Sequence, residues 1–238
     1  MTPRALEAAF AAEMAAHCAA AAELNPYAEA ESLELGTARA VYCGAWSPVH
    51  GVAGLGLDGP VEARDLAEVE RFFHRKERAP AFWICPETDP SLLELIRRDY
   101  HETRKVAVHG ISLKEVEASL PAAAGSSKPD LTSWALEFTR ALDPGAREPG
   151  LLALTKLHQK DTRYYQSIVA PSALLDAAAG EASYTFVHHG IALVPAPSSL
   201  SLLALQAAEA KEWNLAFLAA CHEKSLPLVY ERSLYERL

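Results

Sequence analysis

Tyr42-Cys43-Gly44-Ala45-Trp46-Ser47-Pro48-Val49-His50-Gly51-Val52-Ala53-Gly54-Leu55-Gly56-Leu57-Asp58-Gly59-Pro60 is the stretch on which the fold turns. Val and Tyr suit a pleated surface, whereas Gly and Pro punctuate it. Ala38–Gly44 and Val49–Leu57 therefore read as two strands of a hairpin joined through Trp46-Ser47-Pro48. The run from Gly54 to Gly59 also satisfies G-x-G-x-x-G. Placed within or at the end of a hairpin strand, followed at once by Pro60, and with the post-strand Glu87 28 residues beyond Gly59 instead of about 20, it does not read as a dinucleotide fingerprint.

Upstream, Ala5–Leu24 places Leu6, Phe10 and Met14 on one stripe of an amphipathic helix. Downstream, a helix runs from Gly59-Pro60 to about Arg75 with Leu66, Val69 and Phe73 on one face, and Ala81–Cys85 forms a buried strand. Asp89-Pro90 caps a further helix to Arg98, and Lys105–Val108 closes as a strand. Small residues and prolines across Ser119–Asp130 mark a linker.

Beyond it the same grammar repeats. Strands are expected at Trp134–Thr139, Tyr184–Val187, Ile191–Val194, Leu215–Cys221 and Leu226–Tyr235. Helices are expected at Leu151–His158, Ser172–Ala179 and Ser199–Glu212. The alternation predicts an α/β fold with a mixed sheet in each half, residues 1–120 and 131–238, joined by 121–130.

The composition narrows the function. Half of the 238 residues are apolar and 22% charged, which fits a globular chain. A net charge of -9 disfavours a general nucleic-acid binder. The deficit is uneven, -7 over residues 1–120 and -2 over 121–238, so a phosphate-bearing cofactor is better placed in the second half. No apolar run reaches the roughly 18 residues of a membrane span. Four cysteines stand far apart without a CxxC pair, which points to reduced thiols in a cytoplasmic protein and to no metal site.

Taken together, Tyr42–Pro60, Val69-Glu70-Arg71-Phe72-Phe73 and Cys85-Pro86-Glu87-Thr88-Asp89-Pro90-Ser91-Leu92-Leu93 resemble the first half of tandem bacterial members of the GNAT superfamily of acyltransferases, over residues 10–110. The resemblance implies two GNAT-like domains, the second holding acetyl-CoA or another acyl-CoA. In the family a glycine-rich, basic loop presents backbone N–H groups to the pyrophosphate at a helix N-terminus. The equivalent stretch here, Val194-Pro195-Ala196-Pro197-Ser198-Ser199-Leu200-Ser201, has no glycine and no basic residue.

Ser198, Ser199 and Ser201, with the backbone of Ala192, Leu193 and Val194, are what remains to hold the cofactor and a developing oxyanion. Only His222-Glu223-Lys224-Ser225 separates Cys221 from Leu226, too few residues for the family's helix bearing an acidic Tyr. Tyr230 is the remaining phenol, and His188, His189 and Glu181 are the candidate bases.

Two readings follow. One is acyl transfer from acyl-CoA to an amine. The other is a catalytically inactive binding or interaction protein that has lost the pyrophosphate loop. The expected partner is a small-molecule amine or a protein, with a homodimer as a candidate assembly and no nucleic acid or membrane.

Overall fold

In the computed structural model, residues 2–45, 47, 49–112, 164–169, 181–189, 191–194, 215–219 and 228–237 are described. The chain divides into two compact units, Met1–Ala107 with Val229–Leu238, and Val108–Leu228. The expected linker at 121–130, the strand at 134–139 and the helices at 151–158, 172–179 and 199–212 lie outside the described residues.

The first unit opens on helix α1 (Pro3–Leu24), capped by the Thr2 hydroxyl, which accepts from the Ala5 N–H at 3.3 Å. Then come β1 (Glu31–Leu35), β2 (Ala38–Tyr42), β3 (His50–Ala53), α2 (Ala63–His74), β4 (Ala81–Ile84), α3 (Pro90–Ile96) and β5 (Tyr100–Ser112). The closing strand β10 (Leu228–Arg237) returns to this unit and inserts between β4 and β5, giving the order β1-β2-β3-β4-β10-β5. The sequence reading kept that strand with the second half. Its antiparallel register instead sets Ser233 opposite Ile84 and Glu236 opposite Ala81.

Helices and sheet share one apolar core. Val69, Phe72 and Phe73 of α2 follow the i, i+3, i+4 rule and meet Val52, Phe82, Leu92, Ile96 and Tyr100. Phe82 and Tyr100 meet edge to face at 5.1 Å. Strand β1 was missed in the sequence because only Leu33 and Leu35 alternate with exposed polar residues along an edge.

The hairpin of β2 and β3 is antiparallel as expected, but β3 ends at Ala53 and the glycines that follow form a turn. Gly54, Gly56 and Gly59 all have positive φ, and the Leu57 N–H donates to the Gly54 carbonyl at 3.2 Å. Gly54 and Gly56 thus lie in a turn beyond the strand to which the sequence reading assigned them, and α2 begins at Ala63, four residues after Gly59.

Gly51 permits the close approach of β3 to β4. With φ at 134°, a Cβ there would lie 2.8 Å from the Ala81 carbonyl oxygen, which is backbone and cannot swing away. Gly51→Ala is expected to cost about 2 kcal/mol in denaturant unfolding. Gly59→Ala, whose Cβ meets nothing within 4 Å, shares only the backbone strain and should cost less. Equal costs would mean that the contact with Ala81 is irrelevant.

The second unit contains β6 (Tyr164–Val169), β7 (Glu181–His188), β8 (Ile191–Val194) and β9 (Leu215–Ala219). They follow in the order β9-β8-β7-β6, with β9 pairing antiparallel to the last residues of β5, from Val108 to Ser112. β8 and β9 run parallel. Among the described residues no helix is long and apolar enough to cross a membrane.

Candidate functional site

In an open α/β sheet, a ligand is received where parallel strands part and the helix between them presents its N-terminus. Among the described residues two strand pairs run parallel, β3 with β4 around α2 in the first unit and β8 with β9 in the second.

In the first, β3 and β4 share a single parallel partner pair, Val52 with Phe82, and pair no further. The helix that follows is closed to anions by its own carboxylates. Asp65 accepts from the Glu62 N–H at 2.9 Å, and Glu62 occupies the N-cap. Asp58, in the same loop, accepts from the Thr37 N–H at 2.9 Å and its hydroxyl at 2.7 Å, and pairs with Arg4. These Thr37 hydrogen bonds, more than the Arg4 charge, hold the Asp58 carboxyl below its ordinary pKa, so it stays ionised. Glu62 and Asp65, both also paired with Arg64, thus already occupy that helix start.

The second crossover is paired without a break. Ile191, Ala192, Leu193 and Val194 face Leu215, Ala216, Phe217 and Leu218, the whole of β8. On its other side β8 pairs with β7 through Phe186–Leu193, Val187–Ala192 and His188–Ile191. Ile191 and Leu193 are buried. A strand flanked on both sides has its N–H groups engaged by its neighbours, so Ala192 and Leu193 do not supply the free oxyanion donors expected of a parted strand.

The candidate bases do not converge. Glu181 begins β7 and His188 ends it, seven residues along an extended strand, or ~23 Å. His189 stands exposed in the turn, with a φ of 47°. Ser198, Ser199 and Ser201 lie outside the described residues.

Tyr230 belongs to β10 of the first unit and is buried, its hydroxyl donating to Glu7 Oε1 at 2.8 Å. Burial, reinforced by the Glu7 charge, pushes its pKa well above that of a free phenol. It holds its proton and is a poor acid toward a departing thiolate.

What Tyr230 does belong to is a buried polar cluster that the sequence did not disclose. Glu7 of α1 and Arg232 of β10 are both buried, and Glu7 Oε2 stands 3.2 Å from Arg232 Nη2. That approach lacks hydrogen-bond alignment, for Glu7 Oε2 and Arg232 Nε and Nη2 have no hydrogen-bond partner. The guanidinium lies 4.2 Å from the ring centroids of both Phe10 and Trp83. Burial raises the Glu7 pKa, opposed by Arg232 and by the Tyr230 hydrogen bond. Only the return of β10 brings Arg232 to Glu7.

No family model matches the sequence, and no curated protein does. Among solved structures, a GCN5-related N-acetyltransferase from Kribbella flavida is similar with 12% identity and a TM-score of 0.54, covering 93% of this chain and 95% of that one. A functionally unknown conserved protein from Staphylococcus epidermidis matches with 9% identity and the same TM-score of 0.54, covering 89% of this chain and 95% of that one. Strand order, the parallel crossovers and this likeness agree that the chain has the GCN5-related N-acetyltransferase fold.

Proposed function

We propose that this chain is a GNAT-fold binding protein that does not transfer acyl groups, its partner being a small molecule or a protein. The observation that carries this reading is the unbroken pairing of β8 with β9 from Ile191 to Val194. A pantetheine arm needs unpaired strand edges to bond with, and the reacting thioester needs free N–H donors beside it. Neither requirement is met along β8.

Two further features support the reading. The stretch that would cradle the pyrophosphate, residues 195–201, carries two prolines without N–H groups and no cation. The corresponding helix start in the first unit is capped by Glu62 and Asp65.

Calorimetric titration of the full chain with acetyl-CoA is the test. The expected result is no saturable binding up to about 1 mM, against the micromolar affinity of a working site. Micromolar binding together with transfer to an amine would establish the acyltransferase reading in its place, with acyl-CoA as donor. Should binding appear, substituting Ser199 and Ser201 by bulky residues would tell whether the loop is responsible.

A further inference from the structure

Basic residues gather at the far end of α2, away from its guarded N-terminus. Arg71, His74, Arg78 and Arg237 line an open groove of about 440 Å³ in the first unit, with Glu70 as its single acidic residue and Pro80 among its small apolar walls. In a chain of net charge -9 this is a local reversal of sign. The negative end of the α2 dipole accounts for Arg71 and His74, which sit in its last turn. It does not account for Arg78, from the loop after α2, or Arg237, from the end of β10.

Each guanidinium is held by a contact that leaves most of its donors unused. Arg71 Nε donates to the Ala67 carbonyl at 3.1 Å, Arg78 Nη2 to the Ala45 carbonyl at 2.9 Å, and Arg237 lies 6.0 Å from the Tyr100 ring centroid. None of the three has a carboxylate within ion-pair distance among the described residues, whereas Arg4, Arg39, Arg64, Arg75 and Arg232 do. Glu70, the one candidate, accepts the Tyr100 hydroxyl at 3.0 Å.

The geometry points to a binding site in this groove for a compact, multiply charged oxyanion, a phosphate ester or polycarboxylate gripped by Arg71, Arg78 and Arg237. Guanidinium forks match such oxygens in pairs. The site lies wholly in the first unit and stands whether or not the second unit binds a thioester.

The test is titration of the full chain with inorganic pyrophosphate and, separately, with citrate, followed by calorimetry at low salt. The expected result is one-site, salt-sensitive binding that R71Q with R78Q weakens about tenfold or more. Arg64→Gln, at the opposite end of α2, should leave it unchanged. Tighter binding of pyrophosphate assigns the site to phosphates, and tighter binding of citrate to carboxylates. No saturation by either probe up to about 10 mM, or equal weakening by Arg64→Gln, would overturn the proposal. If the double variant fails to fold, Arg237→Gln alone must weaken binding, and Arg78→Lys must retain part of it. Acetyl-CoA also bears phosphates, so the same variants separate the sites. Affinity lost in R71Q with R78Q would place it in the groove, and affinity kept would place it elsewhere and count against the non-catalytic reading alone.

Discussion

Replacing Arg232 by alanine is expected to lower the unfolding free energy by about 3–5 kcal/mol, the largest single effect in the first unit. The substitution leaves the Glu7 carboxylate, 1% exposed, without its counter-charge. It also removes the cation stacked between Phe10 and Trp83 and empties the space between the two rings. Glu7→Ala should cost a similar amount, since it strands the guanidinium and deprives the Tyr230 hydroxyl of its acceptor.

The double variant Glu7→Leu with Arg232→Met separates charge from packing. A buried ion pair contributes little beyond what it cost to desolvate, so replacing both partners should cost much less than the sum of the two alanine variants. Urea unfolding of the four proteins measures the coupling. Additive costs would mean that Glu7 and Arg232 do not act as a pair, and that the cluster is ordinary core. Either large single loss would also show that β10, the last stretch of the chain, is needed to hold α1 on the sheet.

The local pattern made much of the first unit legible. The periodicity of Leu66, Val69 and Phe73, the Asp89-Pro90 cap and the Val- and Tyr-rich hairpin each report their element within a few residues, because short-range physics decides them. In the second unit, β8 is matched residue for residue, whereas the expected Tyr184–Val187 covers only the middle of β7 (Glu181–His188). What could not be read is what depends on long-range pairing. The destination of β10, and with it the Glu7–Arg232 pair, is fixed by which sheet edge stays open, and residues more than 220 apart in the chain carry no local sign of it. The parting or closing of a parallel pair is likewise a matter of register, so the pairing of Ile191–Val194 with Leu215–Leu218 has no local sign in the sequence. The groove of arginines escaped for a similar reason. Arg71 and Arg78 look like solvated positions until Arg237 arrives from β10.

Two ionisable groups of helix α1, the buried Glu7 and the half-buried His17, respond to pH in opposite senses, and their separation is the second large effect expected. Packing around the His17 ring lowers its pKa from 6.5 to about 4, although part of the residue reaches solvent, and a hydrogen bond to the Glu13 backbone only partly opposes this. The unfolded chain therefore binds a proton near pH 6.5 that the folded chain refuses until about pH 4. The stability that neutral His17 confers is complete above pH 6.5 and is lost as pH falls toward 4, by at most about 3 kcal/mol. Glu7 behaves oppositely. Its folded pKa lies above the unfolded 4.5, so the folded state holds the proton more tightly, and stability is lost as pH rises through that interval. Above pH 4.5, as far as the Glu7 shift extends, the two slopes oppose each other, so the parent protein should lose less on acidification than His17 alone would impose. His17→Asn removes the acid-side loss and should make stability rise on acidification across this window. Glu7→Gln removes the compensating gain and should leave a steeper acid loss than the parent shows. Urea midpoints at pH 7, 5.5 and 4.5 decide the matter: if His17→Asn loses as much stability as the parent on going from pH 7 to 4.5, the imidazole is not the group that refuses the proton.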